Sequence, residues 1–271
     1  MERTLALMAG AGVLPARAAG EAARQGWRVV AFAFEDAPGL DGAAAEVIPS
    51  GLHELQPVIA GLMARRVAAA LFVGTFTKRR VLDHAQRGAE ADDTTRALGA
   101  RGLSDEVLSG VAVAALEAMG IEVLDQRGFL GPWMMPPGHL AGPAPTPTLE
   151  AEMREGWKLA RRLAVEGIGQ TVVRAFGVTV AVEAAEGTDE TVRRGTRLAG
   201  PGAVVVKGVA PGNDYRFDTP SIGPSTLEAL AAGHAAGLGV EAGRILLVDR
   251  EAVVRAAGQA GITVVGLDGE P

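Results

Sequence analysis

Carboxylates and cations alternate through one stretch of this chain at a spacing that could hold a metal ion and a phosphate. Asp214, Arg216 and Asp218 stand two apart around Tyr215 and Phe217, and they run into Thr219-Pro220-Ser221-Ile222-Gly223-Pro224. In an extended segment residues two apart share a face, which predicts that both aspartates and the arginine project together. Two carboxylates beside an arginine make a set able to bind Mg²⁺ and a phosphate oxygen, with a salt-bridged structural loop as the plain alternative. Upstream, Glu183, Glu186, Asp189 and Glu190 fall within eight residues, and Gly187-Thr188 sets Asp189 at a helix start. Capping plus an Asp189–Arg193 surface pair explains that spacing equally well.

Two glycine turns could receive an anion. Gly10-Ala11-Gly12 lies between an apolar run and an Ala-rich helix, as in a dinucleotide fingerprint, but Pro15 occupies the place of the third glycine. Gly74-Thr75-Phe76-Thr77-Lys78-Arg79-Arg80 follows another apolar run and offers backbone amides, two hydroxyls and three cations. It lacks the second glycine and the Lys-Ser/Thr pair of a P-loop, and a solvated helix start would read the same way. Asp92-Asp93 before Thr94 suits a helix N-cap better than a metal site. His53, His84, His139 and His234 show no HxH or HExxH spacing, and no GxSxG elbow is present.

The elements that must carry these residues alternate. Thr4–Gly10 and Trp27–Phe34 read as strands flanking a helix over 15–26, with Pro15 in its first turn and Gly26 at its end. A helix over 55–66 leads into a strand over 68–74, and a helix over 104–120 into a strand over 121–125. This order predicts a Rossmann-like parallel sheet with both glycine turns at its C-terminal edge. Six of the chain's fifteen prolines lie between Gly128 and Thr148. That cluster predicts two α/β domains: an N-terminal domain over 1–130, a Pro/Gly-rich linker over 131–149 and a C-terminal domain over 150–271, with a ligand cleft between the domains. In the second domain a helix over 150–167, two β segments over 170–184 around Gly177 and a strand over 202–208 precede a helix over 226–239. A strand over 244–249, a helix and a strand ending at Leu267 complete it.

Composition narrows the partner. The 271 residues include 26 Lys and Arg against 32 Asp and Glu, a net charge of −6, which argues against a nucleic-acid footprint. Cysteine is absent, which excludes disulfides, a thiol nucleophile and thiolate metal sites. No apolar run reaches the length of a signal-peptide core or a membrane span, so the expected location is the cytoplasm.

At these residues the chain resembles the LpxI type of UDP-2,3-diacylglucosamine pyrophosphatase, a lipid A pathway family, through essentially its whole length. The likeness is carried by Ala181-Val182-Glu183-Ala184, Glu186-Gly187-Thr188-Asp189, Lys207, Asp214-Tyr215-Arg216-Phe217-Asp218 and Pro220-Ser221-Ile222-Gly223. In the first half it rests on Gly10-Ala11-Gly12, Leu14-Pro15, Gly74 to Lys78 and Asp92-Asp93. The family often has Gly-Gly-Gly where Ala11 interrupts here, Asp at Gly167 and Gln at Asn213. The resemblance implies Mg²⁺-dependent hydrolysis of UDP-2,3-diacylglucosamine to UMP and 2,3-diacylglucosamine 1-phosphate. Asp218 is then the first candidate for the catalytic carboxylate and Asp189 the second, with Asp218 and Asp214 as metal ligands. Gly10, Ala11, Gly12, Gly74, Thr75, Lys78, Thr188, Arg193, Lys207 and Arg216 would bind substrate. Trp133, Met134 and Met135 could line an acyl slot, or pack in a core. The expected partner is a lipid-linked nucleotide sugar met at the inner face of the membrane by peripheral contact, with a homodimer allowed. A non-catalytic nucleotide-lipid binder of the same family is the alternative. A nicotinamide-dependent oxidoreductase fits the broken fingerprint poorly.

Overall fold

The structure is a computed structural model, and it describes residues 3–51, 55–76 and 105–270. They form two compact α/β units. The first takes the described residues up to Leu130 together with Asp214–Asp218; the second takes Gly131–Asn213 and the described residues from Thr219 onward.

In the first unit the strands are β1 (Arg3–Ala9), β2 (Trp27–Ala33), β3 (Glu46–Pro49), β4 (Ala69–Val73) and β5 (Glu122–Val123). They form one parallel sheet in the order β3-β2-β1-β4-β5. Leu5 to Ala9 are all buried, the unbroken apolar run expected of a strand covered on both faces. The helices are α1 (Leu14–Arg24), α2 (Leu40–Ala43), α3 (Leu55–Ala64), α4 (Asp105–Ala118) and α5 (Arg127–Leu130). Strand order reverses between β1 and β4, the switch point at which doubly wound sheets open a crevice beyond their C-terminal ends.

The second unit holds a mixed sheet ordered β6-β13-β11-β9-β7-β8. Its strands are β6 (Gly138–Ala141), β7 (Thr171–Ala175), β8 (Val178–Val182), β9 (Val204–Lys207), β11 (Gly237–Glu241) and β13 (Thr263–Leu267). Strands β9, β11 and β13 are parallel, β7 runs antiparallel between β8 and β9, and β6 pairs antiparallel with β13. Two short strands, β10 (Ser221–Ile222) and β12 (Leu246–Leu247), pair apart from it. The helices are α6 (Pro147–Val165), α7 (Thr188–Ala199), α8 (Pro224–Ala232) and α9 (Arg250–Ala260). Thr146 caps α6 by accepting the Leu149 N–H, and Trp157 and Met153 bury its inner face against Val204 and Val206.

Three readings change. The proline-rich segment carries β6, so part of it is sheet. The helix expected over 226–239 stops at Ala232, and Gly237–Glu241 is a central strand. Of the strand expected over 244–249 only Leu246–Leu247 forms.

Candidate functional site

Lys207 ends β9 with its side chain only 4% exposed. Its ammonium donates to Thr188 Oγ1 and to the Ser221 carbonyl, each at 2.9 Å. Thr188 opens α7, and its hydroxyl donates in turn to Glu183 Oε1 at 3.1 Å. A hydroxyl has one proton and two lone pairs. With that proton pointed at Glu183, the lone pairs accept from Lys207 and from the Thr171 hydroxyl at 3.4 Å. Glu183 is buried just past β8, and its other oxygen accepts the Gln170 N–H at 3.3 Å. A cation and a carboxylate are thus both held out of water and joined through one saturated hydroxyl, the pairing that buried charge requires.

Asp189 accepts the Thr226 hydroxyl at 2.8 Å, tying the first turn of α7 to that of α8. Both helices begin at a glycine, Gly187 and Gly223, with no side-chain cap. The positive ends of both helix dipoles therefore lie at this edge. This edge can screen phosphate charge. Thr171 and Thr226 stand in no motif of the sequence, because single polar residues at element ends carry no spacing signal of their own; Glu183 and Ser221 do stand in the family-like motifs, but those motifs assign them no role.

Residues 214–218 are a turn, not the extended segment expected from alternation: the Phe217 and Asp218 amides both donate to the Asp214 carbonyl. Anchoring explains the winding. Tyr215 is buried, its carbonyl accepts the Gln126 N–H at 3.0 Å, and its ring lies 4.0 Å under the Arg127 guanidinium. Phe217 packs on Phe72 with ring centroids 4.7 Å apart. Asp214 takes Arg216 Nε at 3.0 Å, Nη2 at 2.8 Å and the Arg216 backbone N–H at 3.0 Å. Hydrogen bonds from the Arg216 side chain hold the Asp214 carboxyl below its usual range. Arg216 also reaches Glu117 at 3.2 Å. Asp125 and Arg127 repeat the same chelate.

Both Asp214 oxygens are therefore committed, which does not fit a metal ligand. Among the described residues no group of three or more acidic or histidine side chains could hold an ion. Mg²⁺ needs fewer, since it keeps its waters and takes one or two carboxylates with substrate phosphates. Asp218 is exposed, and the next residue, Thr219, has a buried hydroxyl with no hydrogen-bond partner among the described residues.

The glycine turns of the first unit do meet at one sheet edge, but the amides of Gly10, Ala11, Gly12 and Thr75 are spent. Gly10 donates to the Val73 carbonyl, Ala11 to Thr75 and Gly12 to Asp36, while the Thr75 amide returns to Ala11. Gly10 and Gly74 pass so closely that a Cβ on Gly74, at φ 101°, would lie 2.7 Å from the Gly10 carbonyl carbon. The glycines serve that crossing, and the three turn amides form no open phosphate cradle. Thr75 remains exposed there. Arg193 pairs with Glu190 at 2.6 Å, not with Asp189. Met135 is buried in the second unit and donates to the Ile245 carbonyl, so it packs in a core. Lys78, Arg79, Arg80, Asp92, Asp93, His53 and His84 lie outside the described residues.

Residues 4–132 match the model of the LpxI N-terminal domain and residues 136–265 that of the LpxI C-terminal domain. The chain is also similar to the UDP-2,3-diacylglucosamine pyrophosphatase LpxI of Caulobacter vibrioides, with 31% identity over 98% of either chain.

Proposed function

Because the chain belongs to the LpxI family, we propose that it hydrolyses the pyrophosphate bond of UDP-2,3-diacylglucosamine to UMP and 2,3-diacylglucosamine 1-phosphate, with Mg²⁺ as cofactor. The observation that carries this reading is the buried Lys207 ammonium, fixed through Thr188 and Glu183 at an edge where two helices start uncapped. A pyrophosphate diester repels incoming water with its own charge, and fixed positive groups counter that repulsion. Lys207 and the starts of α7 and α8 supply them. Asp218 would orient the attacking water and hold the ion, and Asp189 is the reserve candidate. Bound Mg²⁺ would screen the phosphate oxygens and polarise the bond that breaks. The switch-point turns at Gly10, Ala11, Gly12, Gly74 and Thr75 contribute shape and the Thr75 hydroxyl to substrate binding. Arg216 contributes by holding the Asp218 turn.

Two departures from the family pattern fall outside the Lys207 network. Gly167 ends α6 in the left-handed region at φ 67°, with the Ile168 amide reaching back to the Leu163 carbonyl. Ala11 makes a backbone bridge to Thr75. Both positions have backbone roles in the fold. Among the described residues no helix is long and apolar enough to cross a membrane.

The test is turnover of UDP-diacylglucosamine by the purified protein with Mg²⁺ and then with EDTA. Asp218→Ala is expected to lose at least ~100-fold in turnover with an unchanged thermal midpoint. Near-normal turnover of that variant would move the role to Asp189. Tight binding of substrate by the wild type without hydrolysis would establish the non-catalytic binder instead.

A further inference from the structure

Glu241 ends β11, and its side chain is buried. Its Oε2 accepts the Val209 N–H at 2.8 Å and the Trp157 indole N–H at 2.9 Å. Its Oε1 accepts from Arg244 at 3.1 Å and faces Arg161 at 3.7 Å. Arg244 donates onward to the Ala210 and Pro211 carbonyls, at 2.7 and 3.1 Å. One carboxylate thus holds the chain that follows β9, both directly and through an arginine.

The residue that this chain leaves is Lys207, the last of β9. The Gly208 amide still reaches the Gln170 carbonyl at 3.0 Å, whereas the next amide, that of the buried Val209, goes to Glu241. A buried amide needs an acceptor, and here a side chain supplies it. Gly208 lies so flat on α6 that a Cβ would stand 3.1 Å from the Trp157 ring. The exit from Lys207 is therefore fixed by packing on one side and by charge-assisted bonds on the other.

Lys207 and Glu241 act on opposite faces of the sheet. Lys207 is aligned with Val240, and Glu241, the next residue along, points the other way. The contacts agree: the ammonium goes to Thr188 at the start of α7, and the carboxylate goes to Trp157 on α6. The main chain from Lys207 through Gly208 to Val209 connects the two faces. A buried ion set adds little net stability over apolar residues of the same shape. What it adds is direction.

We propose that Glu241 is a positioning residue for Lys207: together with Arg244 it holds residues 208–211, and so fixes where the Lys207 ammonium stands. The proposal rests on the proposed function for what Lys207 does, and on the sheet geometry for what Glu241 does.

The experiment is a double-mutant cycle of Glu241→Gln and Lys207→Met in the full chain, read as turnover of UDP-diacylglucosamine per folded molecule. Glutamine keeps an oxygen for Val209 and Trp157 but turns an amide toward the two arginines. Glu241→Gln should lower kcat about tenfold and leave KM within about twofold, since a 1 Å misplacement of a group at the reacting centre costs up to about 100-fold. In the Lys207→Met background the same substitution should change kcat less than about twofold, because the group it positions is gone. Arg244→Met should behave as Glu241→Gln does. Equal losses in both backgrounds, or wild-type kcat in Glu241→Gln, overturn the proposal.

A readout without turnover separates this proposal from the proposed function. The chain has three lysines, Lys78, Lys158 and Lys207. With lysine labelled by carbon-13, the ε-carbon signal that disappears in Lys207→Met belongs to Lys207, and it should move in Glu241→Gln. A wild type that hydrolyses nothing, with a Lys207 signal that moves, loses the proposed function and keeps the positioning role. A Lys207 signal that stays in place overturns the positioning role whatever the turnover.

Discussion

The two sheet edges finish their strands in opposite ways. In the first unit the chain closes the edge with main chain: Gly10 passes against Gly74, and the amides of Gly10, Ala11, Gly12 and Thr75 go to carbonyls. In the second unit side chains finish the edge, as the buried Lys207 and Glu183 meet through the half-buried Thr188. A glycine turn after a strand is therefore not a phosphate loop until its amides are shown to point outward. Among the described residues, buried charge gathers at the edge whose glycines start helices.

This contrast can be broken by mutation, most severely at Gly74. A Cβ there meets the Gly10 backbone at 2.7 Å in a left-handed conformation, so Gly74→Ala should cost about 3 kcal/mol or more and fall in soluble yield. Normal urea unfolding of that variant would show that the crossing is not tight.

Thr188→Val should act less on stability, by about 1–3 kcal/mol, because it leaves Glu183 and Lys207 each short of a partner. It should also lower turnover with the fold retained. If Thr188→Val matches the wild type in urea and in turnover, the second edge is no more polar in its energetics than the first.

The smallest expected effect is that of acid on the Asp214 turn. The Asp214 carboxyl lies below its usual range because Arg216 donates to it. Its ion pair therefore contributes fully above about pH 4 and is lost as pH falls through the lowered value. Both side chains are nearly half exposed, so the contribution is under about 1 kcal/mol. Proton resonances of Tyr215, the chain's single tyrosine, should shift in that acid range and stay constant above it.

Much of this was legible where the information is local. The runs Leu5–Ala9 and Ala69–Val73 announce buried parallel strands, and Pro15 marks the start of α1. Strand β11 was not legible, because its sequence, GLGVE, follows an Ala-rich helix without a break in composition. The reason for its glycines is remote: a Cβ on Gly237 would meet Met153 at 2.7 Å, and one on Gly239 would meet Leu267 at 2.9 Å. The closeness of Asp214 and Arg216 followed from their spacing. Their winding into a turn did not, since it depends on seats for Tyr215 and Phe217 set by Gln126, Arg127 and Phe72.

That turn bears on how the chain comes to be folded at all. Asp214–Asp218 complete the first unit, yet more than eighty residues of the second unit precede them in the sequence. On the ribosome the first unit must wait, with the places for Tyr215 and Phe217 empty, until most of the second has been translated. A gene cut at the proline-rich segment would yield an N-terminal fragment with an open apolar seat and a C-terminal fragment bearing two stray aromatic rings. A fragment that ends before Asp214 therefore lacks part of the first unit's own core.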